Sequence, residues 1–238
     1  MIVLALLLAA APAPPRAWAV LAGGGIAIPA AEFTATSRYV EFAEEATVST
    51  RQRPGSGAAL EAGLWHALSP RIGFAVVVAR DQRDAPGTFS AALPHPLFLA
   101  RHRSAEGPFD GGARRETAVH FALSWSHAVG GLTVRAAAGP SYILAEADLV
   151  DGIDHDDAYP YDETRVTSVR TSSARGDALG GHVALGLERR LSSRVGLAGG
   201  ARWSRAKVRL EAGSGDATRE AEITAGGLSA GLGLRLYF

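Results

Sequence analysis

Four polar side chains in one short segment have the types that an acyl hydrolase uses. They are His120, Ser124, Ser126 and His127. A histidine beside a serine can take the hydroxyl proton and make the oxygen a nucleophile, and Glu61 or Glu188 is a candidate for the acid of such a set. In the competing interpretation these are small polar residues that fill an interior. That interpretation is favoured because His120 and Ser124 lie on the same face of a strand pattern, opposite the large apolar residues.

A second cluster is acidic and has the ligand type that Ca²⁺ and Mg²⁺ prefer. Its members are Asp148, Asp151, Asp154, His155, Asp156, Asp157, Asp162 and Glu163. Their spacing does not match an EF-hand loop, in which a glycine and a final glutamate have set positions. The pattern favours a solvated loop. It also allows pairing with arginines of the preceding long segment, which are Arg83, Arg101, Arg103, Arg114 and Arg115.

The segment that must position such residues is clearest at the C-terminus. Large apolar side chains occupy every second position there, and small or charged residues lie between them. The apolar set is Leu228, Ala230, Leu232, Leu234, Leu236 and Phe238, and the other face carries Gly227, Ser229, Gly231, Gly233 and Arg235. Because successive side chains of a strand point to opposite faces, this alternation predicts a strand with one apolar face.

The same alternation recurs along the chain and predicts eight strands. They are Phe33–Val48, Ala58–Leu68, Arg71–Arg80, Thr117–Val129, Leu132–Tyr142, Asp177–Leu191, Val195–Leu210 and Glu220–Phe238. Short turns such as Val129-Gly130-Gly131 alternate with long polar segments, Gln82–Glu116 and Leu149–Ala174. After Trp203 the apolar residues change face. This indicates a bulge near Ser204–Arg205 or, if the apolar face contacts lipid, a strand that leaves the lipid zone at this point.

Eight alternating strands with short turns at one end and long loops at the other predict an all-β fold. We expect an eight-stranded antiparallel up-and-down transmembrane β-barrel with its apolar face toward lipid. Aromatic residues at strand ends, such as Trp125, Tyr142, Trp203, Tyr237 and Phe238, then fit interfacial girdles. The inward charges of this register form an expected lumen charge network. Its members are Glu61, Arg135, Glu188, Arg202 and Arg235.

Composition narrows the class further. Lys plus Arg and Asp plus Glu both number 24 in the 238 residues, so no basic excess suggests nucleic acid. Cysteine is absent, which excludes disulfide scaffolds and thiol chemistry. Ile2–Ala11 is apolar and is followed by prolines and by Ala17-Trp18-Ala19. We therefore expect a signal peptide at 1–19, a Gly/Ala-rich linker at 20–32 and the barrel at 33–238.

With these elements the chain resembles the OmpA/OmpX-like group of eight-stranded outer-membrane β-barrel proteins. The most specific feature is an assembly signal made of a terminal aromatic and alternating leucines, namely Leu232, Leu234, Leu236 and Phe238. The resemblance implies a monomer in the cell outer membrane, recognised by the barrel-assembly machinery and surrounded by membrane lipids and lipopolysaccharide. It implies no cofactor and no nucleic-acid partner.

The group contains structural tethers, surface-binding proteins and a few lipid-modifying enzymes, so the fold alone does not decide function. We expect a plugged lumen and a structural or surface-interaction role carried by Gln82–Glu116 and Leu149–Ala174, with no enzymatic activity and an unknown surface ligand. These segments would contact each other or bind the phosphate-rich outer leaflet. The alternatives are a lipid A deacylase-like enzyme built on His120 and Ser124, or a narrow pore.

Overall fold

The computed structural model describes residues 18–110, 112–214 and 217–238, and β-strands dominate these ranges. Their bounds are β1 Trp18–Pro29, β2 Phe33–Glu41, β3 Glu44–Gln52, β4 Gly57–Ala67, β5 Ile72–Asp84, β6 Gly87–Pro94, β7 His102–Phe109, β8 Ala113–Val129, β9 Leu132–Asp157, β10 Thr164–Arg190, β11 Val195–Ser214 and β12 Ala217–Tyr237. No helix within these ranges is long and apolar enough to cross a membrane.

Eight of the strands close into an antiparallel barrel in the order β1-β4-β5-β8-β9-β10-β11-β12. The ring closes because β1 also pairs with β12, from Ala19 opposite Tyr237 to Pro29 opposite Gly227. At the end of this seam the Phe238 amide donates to the Trp18 carbonyl over 3.0 Å. The predicted eight-stranded antiparallel barrel is therefore confirmed.

The first strand of the barrel is not where the sequence pattern placed it. Val20–Pro29, predicted as a linker, belongs to β1, whereas the predicted strand Phe33–Val48 is a hairpin of β2 and β3 outside the barrel ring. Glycine suits the seam because a Cβ on Gly25 would lie 2.0 Å from the Ala230 carbonyl oxygen. The signal peptide at 1–19 stays a prediction, since residues 1–17 lie outside the described ranges.

The wall of the barrel changes character along its length. In the lower part, toward the short turns, the large apolar side chains point outward and are exposed. Leu185, Leu232 and Leu234 are examples. Further up the same strands the apolar side chains point inward, and Ile143, Val208 and Ile223 join one buried cluster. The ladder between β11 and β12 runs through Ser204 and Arg205 without a register shift. The change of face after Trp203 is thus the strand leaving the lipid zone, and no bulge occurs there.

A β-structured cap extends the barrel on the side of its long connections. β12 pairs with β2 through residues 218–220, and the sheet continues as β2-β3-β6-β7. We define the cap as these four strands with residues 150–157 of β9 and 164–170 of β10. Its buried cluster includes Val48, Phe89, Leu93 and Ile153. Much of the segment Gln82–Glu116, expected as an irregular loop, is therefore folded into sheet.

The β1–β12 seam predicts which engineered cysteines can join. Because the chain has no cysteine, Ala22→Cys with Leu234→Cys gives one defined pair at positions that face each other in the seam. Cα atoms of facing antiparallel residues lie about 4.5–5.5 Å apart, within the range of a disulfide. Oxidation should cross-link this pair in the folded, membrane-inserted protein, as measured by gel mobility with and without reductant.

The matched control shifts one partner by two residues. Ala22→Cys with Leu236→Cys places the thiols on a diagonal with Cα atoms about 7–8 Å apart, and it should stay uncross-linked. Equal cross-linking of the two pairs would contradict the seam register.

Candidate functional site

A charged cluster, which we call the plug, lies in the lumen at the end that carries the short turns. The Glu188 carboxylate accepts from Arg235 at 2.8 Å and from Arg135 at 3.3 Å, and the Tyr237 hydroxyl donates to its other oxygen. The Glu188 side chain is 3% exposed. The structure therefore brings three members of the expected charge network together around one buried carboxylate.

Aromatic rings complete the plug. The Arg135 guanidinium lies 4.6 Å from the centre of the Trp65 ring, a cation–π contact, and the Trp65 indole donates to Ser124 over 3.0 Å. Tyr237 is buried in the lumen, so its predicted place in an interfacial girdle is wrong. Phe238 beside it faces outward and is exposed. Tyr237 and Phe238 differ in this way because adjacent positions of a strand point to opposite faces.

Above the plug lies a cavity of about 190 Å³ with mostly small residues in its wall. The other expected pair crosses this space, because Arg202 donates to Glu61 over 2.7 Å. Glycines such as Gly186, Gly200 and Gly231 line the cavity and leave room for these long side chains. A barrel of eight strands has a narrow lumen, so the cavity between its side chains is small.

The residues of the hydrolase hypothesis separate into two different contacts. His120 is hydrogen-bonded through Nδ1 to the Ser141 hydroxyl at 2.8 Å, and His182 binds the same hydroxyl at 2.9 Å. Ser124 instead donates to the Gly73 carbonyl over 3.1 Å. A Ser124–His120 pair is thus absent from the described hydrogen bonds. His120, Ser141 and His182 are all buried, which fits a structural role in the lumen.

A second ionic cluster lies where the barrel meets the cap. Arg114 pairs with Glu116 at 2.5 Å and donates to the Thr224 carbonyl over 2.7 Å. Arg83 pairs with Asp81, and Glu116 also accepts from the Gly226 amide over 2.8 Å. Sequence reasoning assigned Arg83 and Arg114 to a loop. Arg114 and Glu116 belong to the same inward-facing alternation of β8 as Ala118 and His120. This alternation is the signal that could have placed them in a strand.

The acidic segment and the arginine-containing segment contact each other at the far end of the cap. Arg103 binds Asp157 at 2.5 Å with little exposure of either side chain, and Arg101 binds Asp162 at 2.7 Å at the surface. His155 is hydrogen-bonded to Glu41 at 2.8 Å. Within the described ranges no three carboxylates or imidazoles converge as metal ligands. The acidic side chains act here as ion-pair partners that hold the tips of different hairpins together.

The environment of Asp157 favours its charged form. Burial alone would raise the pKa of this carboxyl, but the hydrogen bonds from Arg103 and Thr164 and the nearby His155 outweigh that effect. The pKa of Asp157 is therefore lower than its ordinary value. A carboxylate with a lowered pKa stabilises the folded cap above its unfolded pKa, and this contribution is lost as the pH falls through the folded value.

Comparisons with known proteins show no family for this chain. No protein-family model and no curated protein matches the chain. Among solved structures it is similar to Neisserial surface protein A, with 12% identity, 93% of this chain and 97% of that chain covered, and a TM-score of 0.46. It is similar to outer membrane protein AlkL with 14% identity, 97% of this chain and 94% of that chain covered, and a TM-score of 0.43. Its identity to outer membrane protease OmpT from Escherichia coli is 10%, with 97% of this chain and 99% of that chain covered and a TM-score of 0.41.

The geometry of this chain defines its class. An antiparallel barrel closed from eight strands has no unpaired edge, carries an exposed apolar belt and keeps its charges paired inside. These are the properties of an outer-membrane β-barrel protein. The outer-membrane location expected from the sequence follows.

The plug predicts that loss of Glu188 lowers the free energy of unfolding far more than loss of an exposed glutamate does. Glu188→Ala should destabilise the folded barrel by about 3–5 kcal/mol, because it leaves Arg135 and Arg235 buried without their carboxylate. The free energy of unfolding is measured in detergent micelles by guanidinium titration. Glu211→Ala, on the exposed outer wall, is the control and should change stability by less than about 0.5 kcal/mol. Equal effects of the two variants would show that the lumen is open to water.

The Asp157 contact predicts a pH dependence of the cap. Resistance of residues 95–101 to limited proteolysis should be higher in the wild type than in Asp157→Asn at pH 5 and above. Because the unfolded carboxyl has a pKa of about 3.9, this difference should shrink below that pH and disappear once the folded group is protonated. A difference that persists unchanged at pH 2 would rule out the charge of Asp157 as its cause.

Proposed function

We propose that this outer-membrane protein is a surface-interaction protein whose binding surface is the distal end of its cap. The carrying observation is that ionic contacts lock three hairpin tips into one surface, and exposed apolar side chains stand on it. We call these side chains the crown. They are Val40, Phe42, Leu97, Phe98, Leu99 and Tyr159.

Pairwise contacts between the tips support a preorganised surface. The Ala100 amide donates to Glu44 over 2.6 Å and joins the β6–β7 connection to the β2–β3 turn. The β9–β10 connection is held to β6–β7 by the Arg101–Asp162 ion pair, and His155 of β9 is held to Glu41 of β2. A surface that is rigid before binding loses less conformational entropy on binding.

The exposure of the crown favours a binding role over a purely structural one. Leu99 and Tyr159 are 81% and 82% exposed, although large apolar side chains at a protein surface cost solubility. Phe42 and Ala43 form the β2–β3 turn with φ of 48° and 65°, a backbone conformation that bulky residues rarely adopt. Strain and exposed apolar area at one place are typical of interaction sites.

The lumen supports the same proposal by disfavouring the alternatives. The Glu188 plug and the Arg114–Glu116 cluster occupy the two ends of the cavity, which argues against a pore. The buried Ser141 lies between two histidines, and the Ser124–His120 pair of the deacylase alternative is not formed among the described contacts. We infer that the partner is an extracellular protein, since apolar and aromatic side chains rimmed by charges are typical of protein–protein interfaces.

The test is adhesion of a laboratory strain that displays the protein. The variant Leu97→Ser, Phe98→Ser, Leu99→Ser removes the β6–β7 part of the crown. It leaves the residues of the Arg101–Asp162 and Arg103–Asp157 ion pairs in place. Adhesion to immobilised extracellular-matrix proteins should fall at least about tenfold, since loss of a central apolar anchor costs about 2 kcal/mol or more. Surface display and heat-modifiable mobility should match the wild type.

The matched control is Leu60→Ser, which removes an exposed leucine from the lipid-facing wall and leaves the crown intact. It should keep wild-type adhesion per displayed molecule. Wild-type adhesion of the crown variant, or no adhesion of the wild-type strain above the empty strain, would contradict the proposal. Clumping of cells by the wild type alone would identify a second copy of the protein as the partner instead.

A further inference from the structure

Three basic side chains follow the lipid-facing part of β11 without interruption. Arg205, Lys207 and Arg209 all point outward and are exposed, while the alternate residues Ala206 and Val208 are buried inside. Alternate positions of a strand lie about 6–7 Å apart, so the three cationic groups form a short vertical row. We call this row the basic ridge.

The level of the basic ridge is fixed by the change of face in the barrel wall. Trp203 is the last large outward-facing apolar residue of β11, and its side chain is exposed. Arg205 is the next outward position, at the point where the interior becomes apolar. Tryptophan is enriched at the boundary between hydrocarbon and headgroups. The guanidinium of Arg205 therefore stands at the level where the headgroups of the outer leaflet begin.

Space for a ligand exists around Arg205. Its registered neighbours are Gly181 on β10 and Gly226 on β12, and neither has a side chain to cover it. A Cβ placed on Gly181 would have no heavy atom closer than the Gly139 carbonyl oxygen at 3.8 Å. Below Trp203 the outward pair Ala201 and Ala230 is also small. The wall is therefore open beside the lowest basic residue and shallow beneath it.

The charges of the basic ridge are only partly neutralised by the protein. Lys207 pairs with Glu222 at 3.2 Å at the surface. Arg205 and Arg209 take part in none of the hydrogen bonds or ion pairs of the described residues. Glu222 also lies opposite Arg209 in the β11–β12 ladder, and the next carboxylate along β11 is Glu211, farther from the lipid-facing wall than all three cations. Positive charge is thus concentrated on the side nearest the membrane.

We propose that the basic ridge binds the phosphate groups of a phosphorylated outer-leaflet lipid of the lipid A type. An arginine fork binds phosphate oxygens in pairs, and Lys207 adds a compact second charge. The acyl chains of the lipid would lie on Trp203 and over the small Ala201–Ala230 pair. The site is on the barrel wall and independent of the crown, so either can fail without the other.

The test is native mass spectrometry of the folded full chain in detergent micelles. Probes are bisphosphorylated lipid A, the same lipid without its phosphates, and inorganic phosphate. The variant is Arg205→Gln with Arg209→Gln, chosen because neither arginine forms an ion pair with another described residue. Since one basic side chain at an anionic lipid surface contributes roughly fivefold in affinity, the variant should bind bisphosphorylated lipid A about thirtyfold more weakly.

The control Arg51→Gln with Arg165→Gln removes two exposed arginines from the cap and changes the net charge equally. It should bind as the wild type does, and all proteins should show the same heat-modifiable mobility. Equal losses in variant and control, or equal wild-type binding of the dephosphorylated lipid, would overturn the proposal. Binding of inorganic phosphate as tight as that of lipid A would show an ion site and overturn the lipid assignment.

Discussion

Hydrocarbon offers no hydrogen-bond partner to a peptide group, and this constraint shapes the whole molecule. A sheet can cross the membrane only if its first and last strands pair, which here means β1 with β12. Closure with eight strands leaves a narrow lumen. Large side chains must then face lipid, and the inward positions carry glycine, alanine and a limited number of long polar residues. The mixed alternation of Leu with Gly in β12 is the direct result.

Buried charge is the second consequence. An inward arginine cannot reach bulk water, so it needs a carboxylate, and Glu188 and Glu61 supply one each within the membrane zone. The same side chains lie in the space that a channel would need. Above the membrane the barrel wall meets water instead of lipid, and the pattern inverts: apolar residues such as Val208 are inside and basic residues such as Arg209 are outside. The outer face of one continuous strand is therefore apolar where it contacts lipid and polar where it contacts water.

Much of this could be predicted from side-chain alternation, because alternation reports the face of a strand directly. The membrane strands from β4 onward and the inward position of Glu188 followed from it. β1 could not, since Gly23-Gly24-Gly25 has low strand propensity and its pairing with Gly231 and Gly233 is a tertiary effect. The cap was missed for a related reason. Its β3–β6 pairing joins segments far apart in sequence, and the partner of Arg103 is Asp157 on another hairpin.

We propose that the protein's own side chains close the lumen and that its interactions take place on the outer surfaces. Conductance of the purified protein in planar lipid bilayers tests it most directly. We predict no stable current steps for the wild type under an applied voltage, because the Glu188 plug and the Arg114–Glu116 cluster fill the path. Stable, ohmic steps from the correctly folded wild type would contradict the account and identify the protein as a pore.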